Sequence, residues 1–141
     1  MEIPRAALLL GWAGVIPFAV LSGAKALRVP LPLDPGFALL AYAAIILSFM
    51  GGSQWGLTVS GPADGAQSWR RFGASVLPAL LAWAAVIAGG RVGFVVLAAT
   101  FASLLGYDLW TVRTGTAPTW YGRLRVQLTA AVVPLLLVAC V

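Results

Sequence analysis

Hydrophobic residues fall into five long runs, separated by short segments that contain charged residues, glycine or proline. The runs cover about 6–27, 36–60, 72–90, 92–112 and 124–141. A membrane-spanning helix needs about 20 mostly apolar residues, and each run is close to or above that length. The pattern therefore predicts an all-α integral membrane protein, in which residues 1–141 form a single transmembrane domain built as a bundle of five helices.

The composition fits this interpretation and narrows the chemistry. Of the 141 residues, 61% are hydrophobic and 9% are charged, whereas a soluble domain carries roughly 25% charged residues. Cys140 is the single cysteine, and the chain has no histidine. Since there is no catalytic dyad and no cluster of metal ligands, we expect no enzymatic activity, no cofactor and no metal. Basic residues lie at the ends of the runs, so we also expect no nucleic-acid partner.

These basic residues predict an orientation in the membrane. Five spans place the two termini on opposite sides. The side of the N-terminus holds six arginines and the other side holds three basic residues: Arg5, Arg70, Arg71, Arg113, Arg123 and Arg125 against Lys25, Arg28 and Arg91. Under the positive-inside rule, the N-terminus is cytoplasmic and the C-terminus lies outside.

Glycine and proline mark the connections and interrupt three of the spans. Residues 89–91 (Gly-Gly-Arg) predict a tight turn that makes the third and fourth spans antiparallel, and residues 61–65 and 114–118 also predict turns. Pro17, Pro78 and Pro134 lie within the first, third and fifth spans. Each proline predicts a kink and can free a backbone carbonyl four residues back, which leaves a small polar cavity as a functional alternative.

The second run contains an unusual stretch, SFMGGSQWG, at residues 48–56. Small residues recur at every fourth position of this run, at Ala44, Ser48, Gly52, Gly56 and Ser60. On a helix they form one small-residue stripe, which lets a neighbouring backbone approach closely. Either another helix of this chain or a helix of another protein could pack there. Gln54 lies about 200° around the helix from Gly52, so the second span is expected to pack on two faces and to be central.

Asp108 predicts a polar cluster within the bundle. It lies five residues before Arg113, about 7 Å deeper along the helix, where an ionised carboxylate is costly without a partner. Arg125 enters at the same level in the fifth span, and Gln54 lies in the same half of the bilayer. The predicted polar cluster consists of Gln54, Asp108, Arg125 and Thr129, with Tyr107 and Gln127 as further candidates. It is either an ion pair that fixes helix packing or a site for an anionic headgroup, a quinone-like ring or a proton.

Three stretches resemble signature segments of one family, that of transmembrane protein 69: LGWAGVIPF (10–18), YAAIILSFMGGSQWG (42–56) and PTWYGRLRVQLT (118–129). The glycines and tryptophan of the second stretch match its glycine–tryptophan segment, at Gly51, Gly52, Trp55 and Gly56. Arg125, Leu128 and Thr129 match its arginine–leucine–threonine segment. The resemblance implies a compact multi-span protein of the bacterial inner membrane, and it brings no established activity.

Two functions are compatible with these features. The short loops and the small-residue stripe favour an accessory or assembly subunit that packs against a larger complex of the inner membrane. Its partners would then be the lipid bilayer and either another inner-membrane protein or a second copy of the chain. The alternative is a small carrier, or a protein that binds a lipid or a quinone, with the polar cluster at the cytoplasmic end of the bundle as its site.

Overall fold

The computed structural model describes residues 2–61 and 65–141. These residues form six helices and no strand: α1 (Arg5–Ala13), α2 (Ile16–Ala26), α3 (Pro35–Val59), α4 (Gly65–Ala88), α5 (Gly90–Arg113) and α6 (Thr119–Val138). With α1 and α2 taken as one segment, five segments of the described chain are long and apolar enough to cross a membrane. This confirms the predicted five-span bundle, whereas the orientation of the termini stays a prediction. Of the turn predicted at 61–65, residues 62–64 lie outside the described residues.

Two helices begin earlier than the apolar runs from which they were predicted. Helix α4 begins seven residues before Phe72, and α6 begins five residues before Leu124. The added turns hold arginine, tryptophan and tyrosine, which suit the headgroup region of a bilayer. A helix of 24 residues such as α4 is about 36 Å long, whereas the hydrocarbon core is about 30 Å thick. The helix therefore extends beyond the segment that hydropathy detects.

The first span is interrupted between α1 and α2, at Gly14 and Val15. Pro17 follows in the first turn of α2, where its missing N–H disturbs the helix least. The hydroxyl of Tyr42, in α3, donates a hydrogen bond of 2.9 Å to the carbonyl oxygen of Gly14. This bond ties the interruption to the centre of the bundle. Pro78 and Pro134, in contrast, lie within helices that continue through them.

Helix α4 approaches both of its neighbours closely, and each approach depends on a glycine. A Cβ atom added to Gly51 of α3 would clash with the carbonyl oxygen of Ser75, because the two atoms would be closer than real Cβ contacts allow. A Cβ atom added to Gly93 of α5 would lie 2.5 Å from the carbonyl oxygen of Ala85. The turn between α4 and α5 is as tight as predicted, because Gly89 has a φ of 63° that favours glycine.

The small-residue stripe faces away from the other helices, so the expected packing of this stripe within the chain is wrong. Ser48, Gly52, Gly56 and Ser60 are exposed, and Ala44 is only partly buried. Apart from the neighbouring residues and the backbone of α3 itself, no described atom lies within 4 Å of a Cβ atom placed at Gly52 or at Gly56. The hydroxyl groups of Ser48 and Ser60 donate to carbonyls of their own helix, at 2.9 and 3.0 Å, and need no further partner.

Helix α3 instead packs through a single face, which contacts α2, α4 and α5. Leu47, Gly51, Gln54 and Thr58 are among the buried residues of this face. The polar residues explain why this face is buried. An amide turned toward lipid would lack a hydrogen-bond partner, whereas an exposed glycine has no polar side chain that needs one. The packing on two opposite faces that was expected for the second span is therefore wrong, although the helix does contact three others. Packing of the small-residue stripe against another chain stays a prediction.

Candidate functional site

Asp108, which is buried in α5, accepts hydrogen bonds from two other helices. The Nε atom of Arg125, in α6, lies 2.5 Å from its Oδ2 atom. The side-chain amide of Gln54, in α3, donates to its Oδ1 atom, and the hydroxyl of Tyr121, also in α6, donates to the same oxygen at 3.3 Å. The structure thus brings together three of the four residues of the predicted polar cluster, and it links three helices at one level.

Two threonines beside these residues donate their hydroxyl hydrogen bonds to backbone carbonyls of their own helices. The hydroxyl of Thr58 donates to the carbonyl of Gln54 at 2.9 Å, and that of Thr111 donates to the carbonyl of Asp108 at 2.7 Å. These side chains can therefore be buried next to the ion pair without competing for the carboxylate. Both carboxylate oxygens of Asp108 remain available to Gln54, Arg125 and Tyr121, as a buried charge requires.

The sequence did not single out Tyr121 for the polar cluster. Tyr121 precedes Arg125 by four residues, and this spacing places both side chains on one face of α6. That spacing is the signal that could have found it. Two other candidates lie elsewhere: Gln127 is exposed, and Tyr107 lines a groove between α4 and α5.

Two side chains of the predicted polar cluster have a buried polar atom without a hydrogen-bond partner in the described part of the chain. These atoms are Nη2 of Arg125 and Oγ1 of Thr129. Thr129 differs in this respect from Thr100, which is equally buried but donates to the carbonyl of Val96 at 2.7 Å. Since a buried polar group without a partner costs about 1–3 kcal/mol, Arg125 and Thr129 would each gain from an acceptor that reaches these atoms.

Both of these side chains line a cavity of about 440 Å³ between five of the helices. Its volume lies in the range of roughly 300–1,000 Å³ that is typical of small-molecule sites. The polar lining is small and consists of Ser53, Tyr121, Arg125 and Thr129. The rest is apolar and includes Ala7, Leu10 and Gly11 of α1, Phe18 of α2, Ile46, Phe49 and Met50 of α3, Phe101 of α5, and Trp120, Leu124, Leu128 and Val132 of α6. The cavity is thus suited to a molecule with an apolar body and one polar group.

Comparison with known proteins gives a family and no activity. Residues 3–141 match the family model described as "Protein of unknown function (DUF3429)". Transmembrane protein 69 of Xenopus tropicalis is 34% identical over 137 residues, which are 94% of this chain and 52% of that protein. Transmembrane protein 69 of Mus musculus is 26% identical over 131 residues, 92% of this chain and 53% of that protein.

The chain therefore spans about half the length of the curated relatives it matches. No solved structure matches it. The two relatives bear the name that the three sequence stretches predicted, and the family model extends over nearly all of the chain. This chain belongs to the DUF3429 family of proteins of unknown function and is similar to transmembrane protein 69.

Proposed function

We propose that the protein binds a neutral, lipid-soluble molecule with a carbonyl group, such as a quinone, in the cavity beside Arg125 and Thr129. One observation carries this proposal. Two side chains that each have a buried polar atom without a described partner line a cavity whose other walls are almost entirely apolar. The apolar walls favour a lipid-soluble body, and the two side chains favour an oxygen acceptor on it.

The chemistry of Arg125 decides between a neutral and an anionic ligand. Its guanidinium group can only donate hydrogen bonds, so the ligand must supply an acceptor. Asp108 already pairs with this cation at 2.5 Å. A second anion would leave an excess negative charge within the hydrocarbon region, which is costly. A carbonyl oxygen supplies the acceptor without that charge, and this favours a quinone-like ring over an anionic headgroup.

Helix α1 offers a route by which such a molecule could reach the cavity from the bilayer. It supplies part of the cavity wall through Ala7, Leu10 and Gly11. None of its nine residues, all of which are described, is buried. The helix packs on α6, and the cavity is already partly open beside the exposed side chain of Leu10, so a lipid-soluble molecule could enter from the bilayer while the bundle stays in place.

A quinone titration tests the proposed contact with Thr129. The full chain, purified in mild detergent, would be titrated with a decyl-substituted benzoquinone while its tryptophan fluorescence is followed, because Trp120 lines the cavity. Thr129→Val should weaken binding about 3- to 10-fold, which corresponds to one hydrogen bond of roughly 0.5–1.5 kcal/mol. Thr100→Val makes the same chemical change at an equally buried residue outside the cavity, and binding should stay unchanged.

A second pair of variants tests the cavity itself. Ala7→Phe places a ring at the cavity wall and should abolish quinone binding, whereas Ala6→Phe, on the exposed side of the same helix, should not. If the wild-type chain does not bind the quinone, or if all four variants bind it like the wild type, the proposal is wrong.

The exposed small-residue stripe supports a second candidate function, that of an accessory or assembly subunit within a larger complex of the bacterial inner membrane or within an oligomer of the chain itself. Gly52 and Gly56 leave room for a close backbone approach from outside. Gly52→Leu should remove a high-mass species from native gels of solubilised membranes. Gly73→Leu is the matched control, because Gly73 is an exposed glycine of α4 with equally open surroundings. A wild-type chain that migrates as a monomer would contradict this candidate.

A further inference from the structure

A second cavity, of about 420 Å³, lies between the beginning of α4 and the end of α5. Its lining is polar and aromatic: Ala66, Gln67, Arg70 and Arg71 from α4, and Tyr107 and Trp110 from α5. We propose that this groove binds a phosphate group, and that an anionic phospholipid of the bilayer supplies it. The proposal is independent of the quinone site, because it concerns another cavity.

The two arginines supply the recognition of a phosphate. A guanidinium group presents a planar fork of donors that matches two phosphate oxygens. The Nε atom of Arg71 is buried and has no hydrogen-bond partner among residues 2–61 and 65–141. None of the described residues that line the groove is acidic, so no described lining residue neutralises the two positive charges. An anion with several acceptor oxygens would satisfy both conditions.

The aromatic side of the groove fits the position of a lipid headgroup. The rings of Tyr107 and Trp110 lie with their centroids 5.5 Å apart and their planes inclined by 35°. Each ring combines an apolar surface with one donor, the phenol O–H or the indole N–H. Tryptophan and tyrosine are enriched at the level of lipid headgroups for this reason. The rings can therefore cover the glycerol region of a lipid whose phosphate lies on the arginines.

The length of α4 favours a lipid over a soluble phosphate compound. Its 24 residues extend over about 36 Å, some 6 Å more than the hydrocarbon core. The first two turns contain Gln67, Arg70 and Arg71, whereas the last turn is apolar. The excess length therefore belongs at the beginning of the helix, and it places both guanidinium groups at the headgroup level.

The groove residue Trp110 and the carboxylate of Asp108 lie on different sides of α5. Trp110 follows Asp108 by two residues, which turns it about 200° away around the helix. Asp108 is directed toward Arg125 and the interior, whereas Trp110 is 42% exposed. The carboxylate of Asp108 therefore does not neutralise the groove from within it.

Native mass spectrometry of the full chain tests this proposal. The protein in neutral detergent would be mixed with phosphatidylglycerol, with phosphatidylcholine or with inorganic phosphate. The wild-type chain should retain phosphatidylglycerol about tenfold better than phosphatidylcholine, and Arg71→Gln should reduce that retention about tenfold, as expected for one charged hydrogen bond. Arg113→Gln removes the same charge at the end of α5 but outside the groove, and it should change nothing.

The remaining results also support or overturn the phosphate site. If Arg71→Gln does not fold, Arg70→Gln replaces it, because Arg70 is exposed and its loss should leave the fold intact. Inorganic phosphate that competes with phosphatidylglycerol in the wild type, but not in the groove variant, would support the phosphate site and assign it to a soluble compound. Equal retention of both lipids by the wild type would overturn the proposal. An equal loss in Arg113→Gln would overturn it as well, because general positive charge would then explain the binding.

Discussion

Two adjacent glycines of α3 are expected to respond in opposite ways to the same substitution. Gly51 faces α4, and its added Cβ atom would come more than half an ångström too close to the carbonyl oxygen of Ser75. At Gly52 the added atom would meet no described atom of another helix within 4 Å. Since the oxygen at Gly51 belongs to the backbone, no side-chain rotation relieves the clash. Gly51→Ala must therefore push α3 and α4 apart, whereas Gly52→Ala leaves both helices in place.

The expected magnitudes follow from packing and from helix propensity. Alanine stabilises a helix interior by roughly 0.5–1 kcal/mol relative to glycine, and Gly52→Ala should gain up to that amount. Overpacking of a close contact costs typically 1–3 kcal/mol. A separation of 0.5–1 Å also forfeits about a quarter to a half of each dispersion contact across the interface. We therefore expect Gly51→Ala to be less stable than Gly52→Ala by about 2–3 kcal/mol.

Thermal unfolding of both variants in the same mild detergent measures this difference. For a chain of 141 residues, 1 kcal/mol corresponds to roughly 3–5 °C in Tm. Tryptophan fluorescence should therefore show Gly51→Ala melting roughly 5–15 °C below Gly52→Ala. Equal melting temperatures would refute the close approach of α3 and α4. A lower Tm for Gly52→Ala would show that the small-residue stripe, and not Gly51, is where α3 packs.

Three further substitutions test other contacts, and each is measured on the purified chain. Asp108→Asn leaves Arg125 as a buried cation without its counter-charge, so the free energy of unfolding should fall by about 3–5 kcal/mol; an unchanged thermal transition would contradict the ion pair. Tyr42→Phe removes the donor to the carbonyl of Gly14 and should cost about 1 kcal/mol, with faster amide hydrogen exchange in α1 as the local sign; unchanged exchange would speak against this link. Gly93→Ala places a Cβ atom 2.5 Å from a carbonyl oxygen of α4 and should lower Tm as Gly51→Ala does; a neutral effect would exclude the close contact between α4 and α5.

The five spans could be predicted because the bilayer imposes a length and a composition on any helix that crosses it. The ends of the helices could not be predicted from the same signal. Arg70 and Arg71 lower the local hydropathy before Phe72, yet the helix includes them, because a helix can continue where it leaves the hydrocarbon core. Hydropathy identifies only the part of a helix that lies in the hydrocarbon core, so it does not show where the helix ends in the headgroup region.

The direction of a helix face is set by its most polar residue, and this explains why the small-residue stripe was misplaced. A four-residue period shows which residues share a face, but not whether that face is turned inward. Gln54 lies nearly opposite Gly52, and its amide requires a partner that lipid cannot provide. The amide of Gln54 donates to Asp108. This orientation of α3 places Gly51, which is next to the stripe, at the close contact with α4. An amide in lipid costs more free energy than an exposed glycine, and this difference would have identified the face of α3 that is buried.

The polar cluster was the most predictable part of the site, and the cavity was the least. An acid within an apolar run needs a cation at its own level, and Arg125 lies at the beginning of the neighbouring apolar run. The cavity depends on the interruption between α1 and α2 at Gly14 and Val15 and on where Phe18 and Thr129 meet the other helices. These are consequences of tertiary packing that no spacing along the chain records.

The central claim is that Arg125 and Thr129 hold the acceptor oxygen of a neutral, lipid-soluble molecule. An experimental density map of the protein in lipid nanodiscs with a short-chain quinone tests it most directly. We expect elongated density in the cavity of about 440 Å³, with its polar end within hydrogen-bond distance of both side chains. A cavity closed by side chains, or quinone density only on the lipid-facing surface, would contradict it.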